Sequence, residues 1–238
     1  MASKKSTRSK PFGAILAIVG IVGVAALGYT VSRPAKVITL DPSAPPVAAA
    51  GVLRGNPDAP VLVVEFADFE CPACAQFATV TEPDVVTRLI ETGEVAFRFM
   101  DFPITESHPN SVAAHNAAQC GNEQGKFWEM HDQIFARQFE WNSQATRTPK
   151  KVLEEIARAA GLDVAKWEDC FDSGRMLPQI AANRKEGERL RVRSTPTFII
   201  GDRMEVGVLS YDRFRELVTE AKVRAMAAES EARQAKTP

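Results

Sequence analysis

No second pair of closely spaced cysteines occurs in this chain, and its three histidines, His108, His115 and His131, stand at no metal-ligand spacing. A zinc site needs four ligands, usually from a second Cys-x-x-Cys or from paired histidines, so none is predicted and the histidines read as surface or satisfied core residues. A basic excess is missing too. The 29 Lys and Arg are balanced by 30 Asp and Glu, with no patch of the kind that binds nucleic acid. No internal repeat is present, which excludes a repeat array. Up to Arg33 there is no acidic residue at all, only Lys4, Lys5, Arg8 and Lys10.

Those cations precede an uncharged stretch, 11–32, of 22 residues. At about 1.5 Å per residue it is long enough to cross a bilayer core of about 30 Å. It is predicted to be a transmembrane signal-anchor, with the basic segment 1–10 in the cytoplasm and everything after Arg33 exported. A cleaved signal peptide competes. Its apolar region usually runs only about 7 to 15 residues, although Ala26-Leu27-Gly28 offers small residues for cleavage. After Arg33, 24 basic and 30 acidic residues leave a net charge of −6. The segment 33–50 holds four prolines and many alanines and reads as an extended linker. A single domain, 51–225, and a polar tail, 226–238, complete the chain.

The most informative residues are Cys71-Pro72-Ala73-Cys74, which follow the apolar run Val61 to Phe66 and open a segment of helical pattern. At the first turn of a helix the Cys71 sulfur lies near unpaired N–H groups and the positive end of the helix dipole, which stabilise a thiolate. Cys71 is therefore the predicted nucleophile. Cys74, one turn further in, is the predicted resolving thiol, and Pro72 suits a first helical turn. A structural disulfide and half a metal site remain the competing readings of Cys-x-x-Cys. An exported carrier holding Cu(I) by both thiolates is the metal version.

Val61 to Phe66 reads as a strand buried on both faces, 71–91 as a helix closed by Gly93, and Glu94 to Met100 as a second, parallel strand. A mainly helical block follows, about 105–191. Within it Thr148 and Pro149 read as N-cap and first turn of a helix to Ala160, and Asp163 caps another carrying Cys170. Thr197 to Ile200 and Met204 to Val208 read as a hairpin turning at Gly201-Asp202. A last helix starts at Ser210 or Asp212.

A β-α-β unit with Cys-x-x-Cys at its helix start, a helical insertion, and a β-β-α unit opened by Ser194-Thr195-Pro196-Thr197 resembles the thioredoxin superfamily. More narrowly it resembles the DsbA-like thiol:disulfide oxidoreductases of bacteria. The residues that carry the match are Glu65 to Cys74, Gly125-Lys126-Phe127-Trp128 and Ser194 to Phe198. The resemblance implies an α/β thioredoxin-like fold and no cofactor. It also implies a cis Thr195-Pro196 bond packed against the active cysteines, with the Thr195 backbone free to pair with an extended substrate segment alongside Pro72. Glu65 would be a buried proton acceptor for Cys74; a strand-end residue reaching solvent is its other reading.

The chain departs from the best-known DsbA pattern in having Pro-Ala between its cysteines where that pattern has Pro-His. Without the imidazole, and with Glu70 adjacent, Cys71 is expected to be less acidic. The predicted potential falls between those of thioredoxin and DsbA, about −270 and about −120 mV. In an oxidising compartment Cys120 and Cys170 are expected to form a structural disulfide, with a second redox pair as the alternative. The implied partners are unfolded or reduced exported proteins and a membrane redox partner. The implied place is the periplasmic side of a bacterial cell membrane, in a single-pass protein.

Overall fold

The computed structural model describes residues 47–234. The basic segment, the anchor at 11–32 and most of the linker lie outside the described residues, among which no helix is long and apolar enough to cross a membrane. Strands β1 (Val52–Arg54), β2 (Val61–Ala67), β3 (Val95–Asp101), β4 (Thr197–Ile200) and β5 (Arg203–Val206) form one sheet in the order β1-β3-β2-β4-β5. Only β2 and β3 pair in parallel, and the helix between them, α1 (72–90), makes the β-α-β crossover.

Helix α1 is not one regular helix as the sequence reading had it. Segments Pro72–Gln76 and Glu82–Val85 are α-helical, whereas Phe77–Thr81 and Val86–Ile90 are wider π turns. Pro83 is the cause closest to hand, because an internal proline has no N–H to donate and its ring crowds the carbonyl four residues back. The preceding turn widens so that the Glu82 N–H reaches Phe77 O. Such bulges are frequent at functional sites.

The buried stretch of β2 follows from cover on both faces. Val61 and Val63 pack with Phe77, Val85 and Leu89 of α1 and with Phe214 and Leu217 of the C-terminal helix α8 (Tyr211–Gln234). On the other face Phe66 joins Phe102 and Val192. That face is closed by helix α7 (Leu177–Arg189), which approaches through Gly187: a Cβ there would lie 2.6 Å from the Phe102 ring.

Between β3 and α7 run α2 (Ser111–Asn122), α3 (Phe127–Ala136), α4 (Gln138–Trp141), α5 (Lys150–Ala159) and α6 (Val164–Ser173). They surround a second core that includes Phe69, Phe99, Met130, Trp141, Leu153 and Trp167. Asp163 caps α6 by accepting from Lys166 N–H, whereas Thr148 does not cap α5 and Pro149 itself is the N-cap. Without an N–H of its own, Pro149 can stand there at no cost in hydrogen bonds.

Three further boundaries differ from the sequence reading. Strand β5 stops at Val206 rather than Val208, because Gly207 turns the chain at φ +92°. Helix α8 continues through the predicted tail to Gln234. The end of the predicted linker is fastened down: Ala50 N–H donates to Asn183 Oδ1 and Ala50 O accepts from Asn183 Nδ2.

Cys120 of α2 and Cys170 of α6 are joined as a disulfide, with Cα atoms 5.7 Å apart, closing 50 residues of chain. Beside it the Trp167 indole donates to Ala117 O. Replacing both cysteines by alanine should lower stability by about 2–4 kcal/mol in urea unfolding while leaving alkylation of Cys71 unchanged.

Candidate active site

The register of the sheet builds the site. In β4, Thr197 stands opposite Phe66 of β2, so Pro196 and Thr195 extend past the end of β2 toward the loop that carries Cys71. The Thr195-Pro196 peptide is cis, and Cys71 Sγ lies 3.5 Å from Thr195 O. Residues from opposite ends of the domain, 124 positions apart, thus meet at one sulfur.

Cys71 is the N-cap of α1, extended at φ −72°, ψ 122°, with Pro72 in the first turn. Both Cys71 and Cys74 are thiols, but their surroundings differ. Cys71 retains 8% of its surface and Cys74 none. The Cys74 thiol donates to Cys71 and lowers its pKa to about 5 against the opposition of burial, helped by Thr195 and by the N–H groups of Cys74 and Ala73. That lies between about 7, as in thioredoxin, and about 3.5, as in DsbA. Burial pushes Cys74 the other way, well above the usual thiol range, and the hydrogen bond it gives to Cys71 adds to the rise. A negative charge therefore resides on Cys71 alone.

Glu65 faces into the domain between Phe99 of β3 and Phe198 of β4, and it is 2% exposed rather than reaching solvent. Burial raises its pKa well above the carboxylate range, with Glu82 and Cys71 contributing. Glu65 is thereby suited to hold a proton near Cys74.

Several residues that frame the site carried no signal in the sequence. Asp68, fully buried, accepts from Glu70 N–H and the Ser111 hydroxyl through one oxygen and from Ile104 N–H and His108 Nδ1 through the other. Its backbone O accepts from Cys71 N–H. Burial would raise the Asp68 pKa, but His108, His115 and these donors hold it below the usual value. Gln138 of α4 donates to both Phe69 O and Cys71 O. The helical insertion thus grips the loop ahead of Cys71 from two sides.

Glu70 and the histidines are tied into the same framework. The Glu70 carboxylate accepts from the N–H groups of Asn110 and Ser143. Each histidine pairs with an aspartate through Nδ1. His108 pairs with Asp68 at 2.7 Å, its pKa raised first by that hydrogen bond and further by the charges of Asp68 and Cys71. His115 Nδ1 lies 2.6 Å from Asp101 and His131 Nδ1 2.8 Å from Asp132, but the Nε2 of each is buried with no partner.

Glu82, His131 and Asp132 are the residues that come nearest to a metal-binding group among the described residues. The Arg54 guanidinium stands 3.4 Å from Glu82 and 3.9 Å from Asp132, placing a fixed cation where a metal would have to go. Beside the first turns of α1, Pro72, Phe135, Gln138 and Phe139 line part of a groove of about 450 Å³, with Phe139 86% exposed.

The Thr195 hydroxyl is buried and has no hydrogen-bond partner while Cys71 is a thiol; an ionised sulfur supplies the missing acceptor. Thr195→Val should raise the Cys71 pKa by about one unit, the scale of one hydrogen bond to a charged group, read from thiolate ultraviolet absorbance against pH.

A 34% identity over 169 residues relates the chain to the Na(+)/H(+) antiporter NhaA 3 of Salinispora tropica, covering 71% of this chain and 24% of that protein. The chain thus spans about a quarter of the length of the antiporter-named relatives it matches. Disulfide bond formation protein D of Bacillus subtilis is 24% identical over 164 residues, 69% of this chain and 73% of that one. The crystal structure of alpha-DsbA1 from Wolbachia pipientis superposes with a TM-score of 0.66 at 20% identity, over 74% of this chain and 92% of that chain. The family model described as Thioredoxin matches residues 48–220. With Cys71 at the start of α1 and Thr195-Pro196 beside it, the chain belongs to the thioredoxin family and has the fold of its DsbA-like thiol:disulfide oxidoreductases.

Proposed function

We propose that this chain oxidises thiols of unfolded or reduced exported proteins by exchange with a Cys71–Cys74 disulfide. The segment 11–32 would hold the domain on the outer face of a bacterial cell membrane, and a membrane partner would restore the disulfide. The observation that carries the reading is the unequal pair of sulfurs, one acidic and retaining a small part of its surface, the other wholly buried and held protonated. The name of the Bacillus subtilis relative, a disulfide bond formation protein, favours the oxidising direction.

In the first step a substrate thiolate attacks Cys71 Sγ, the Cys71–Cys74 bond breaks, and its electron pair leaves on Cys74. A second substrate thiolate then attacks the mixed disulfide at the substrate sulfur and expels Cys71 as a thiolate. The substrate gains a disulfide and the protein gains both electrons. Each structural feature serves one of these steps. The acidity of Cys71 makes it the better leaving group in the second, and a buried proton source completes the first. Pro72 and Phe139 border the groove where a flexible apolar segment would lie, and Thr195 offers its backbone beside the sulfur.

One observation favours a second reading within the same chemistry. Cys71, at about 5, is less acidic than the DsbA reference of about 3.5, which leaves a reductase or isomerase kept reduced by a membrane donor in play. Trapping the thiols inside cells with a gel-shifting alkylator separates the two: mostly disulfide marks the oxidant, mostly dithiol the reductase.

Cys71→Ser should abolish oxidation of a dithiol peptide, and retained turnover would refute the assignment. The pH dependence has a definite sign. The thiol of Cys71 titrates at about 5 when folded, below its unfolded value of about 8.5, so between these values the unfolded state binds more protons. Stability of the reduced protein relative to the oxidised form should rise with pH across that window by up to about 1.4 kcal/mol per unit. It is fully present above the upper value and is lost as pH falls through the lower one; urea unfolding of both redox forms measures it.

A further inference from the structure

We propose that Arg191 and Arg193 form a cationic rim beside the cis Thr195-Pro196 turn, a docking surface for exported polypeptides that carry acidic residues within a few positions of the reacting cysteine. The inference rests on the exchange reading of Cys71 and Cys74 and extends it to the choice of substrate.

The backbone supplies the first observation. Helix α7 ends with Val192 N–H donating to Gly187 O and Arg191 N–H donating to Glu188 O, the pair of bonds that closes a helix through one left-handed residue. That residue is Arg191, at φ +67°, and every other residue of positive φ among the described residues is a glycine. A side chain in this conformation costs stability that glycine does not lose. Strain of this kind clusters at functional sites, where the side chain has a use that offsets it.

Position is the second. Val192, 2% exposed, packs with Phe66 and Phe102, and this anchor leaves the residues on either side of it, Arg191 and Arg193, exposed. Two residues beyond Arg193 stands Thr195, whose carbonyl oxygen lies 3.5 Å from Cys71 Sγ. At no more than about 3.6 Å per residue, the Arg193 Cα is within about 7 Å of the Thr195 Cα and the Arg191 Cα within about 14 Å. When a substrate cysteine is bonded to Cys71, the residues two to four places along an extended segment come within reach of these long side chains.

Charge is the third. Arg184 and Arg189 of the same helix are paired with Glu188 and Glu186 at 3.1 and 2.7 Å, so the acids nearest in sequence are already taken. Arg191 and Arg193 have no ion-pair partner among the described residues, and they stand on a chain that is net acidic after Arg33. The guanidinium is a planar fork of donors that matches a carboxylate, so the complementary group is an Asp or Glu side chain of the substrate. At an exposed rim such pairs act mainly on the rate of encounter, and they fade with salt.

The test mixes the oxidised full-length protein with dithiol peptides of one core sequence, flanked on both sides by Glu, Gln or Lys, and quenches with an alkylator. Each second-order rate constant is divided by that peptide's rate with hydroxyethyl disulfide, a neutral reagent, which removes differences in thiol reactivity. The Glu peptide should exceed the Gln peptide about tenfold at low ionic strength, the Lys peptide should fall below it, and the differences should vanish in about 1 M sodium chloride. Arg193→Gln and Arg191→Gly should each cut the Glu-to-Gln ratio about threefold, and together they should bring it to about one. Arg191→Gly should also raise the urea midpoint, because glycine takes the left-handed turn without strain. A lowered midpoint would mark the side chain as structural and overturn the assignment. A ratio near one in the unsubstituted protein, or one that the variants leave unchanged, overturns the rim while leaving exchange intact. No reaction with any of the three peptides would instead sink the exchange reading, and the rim with it.

Discussion

Unequal solvation of two sulfurs three residues apart is the constraint on which the site depends. A thiolate in a low-dielectric pocket is expensive unless hydrogen bonds meet it, and the start of α1 provides them to Cys71 only. Cys74, one turn further in, can lower its own cost only by staying protonated and donating to its neighbour. Charge therefore accumulates on one atom of the reduced protein. Because the disulfide form has no charge to stabilise, every interaction that favours the Cys71 thiolate favours the dithiol over the disulfide. The local electrostatics and the oxidising tendency are one quantity seen from two directions.

Keeping that atom in place is the work of the insertion more than of the sheet. The loop between β2 and α1 has no strand partner, so its polar groups must be satisfied by side chains. Asp68 and Glu70 turn back onto the insertion, accepting from Ile104, Asn110, Ser111 and Ser143, while Gln138 donates to the carbonyls of Phe69 and Cys71. The disulfide between α2 and α6 then stiffens the layer that holds those partners. Loss of the insertion would leave the first turn of α1 with the right sequence and the wrong geometry.

What could be read from the sequence was whatever depends on local chemistry. The apolar run 61–66, the Cys-x-x-Cys spacing, the glycine after α1 and the aspartate ahead of α6 each declare themselves through backbone preference, and the order of elements followed. What could not be read depends on contacts across the fold. Asp68 and His108 lie 40 residues apart and meet only because β3 runs parallel to β2. Glu70 looks in sequence like a charge opposing Cys71, and only the fold shows its oxygens already occupied. Pro83 was the one visible sign that α1 would be irregular, and its consequence, an inward Glu82, is set by a change of helical phase that residue spacing does not reveal.

The buried acids divide into two groups, and the division is informative in itself. Asp68, Glu70 and Asp101 are saturated with donors; Asp101 alone receives His115, Gln119 and Asn183. Such carboxylates fix geometry, and the donors around them offset much of the desolvation. Glu65 and Glu82 are different, their pKa values raised chiefly by burial and, for Glu82, with one oxygen unpartnered. A carboxyl group kept in that condition lowers stability. The charge of Glu65 raises the Cys74 pKa in turn, so ionising either group opposes ionising the other.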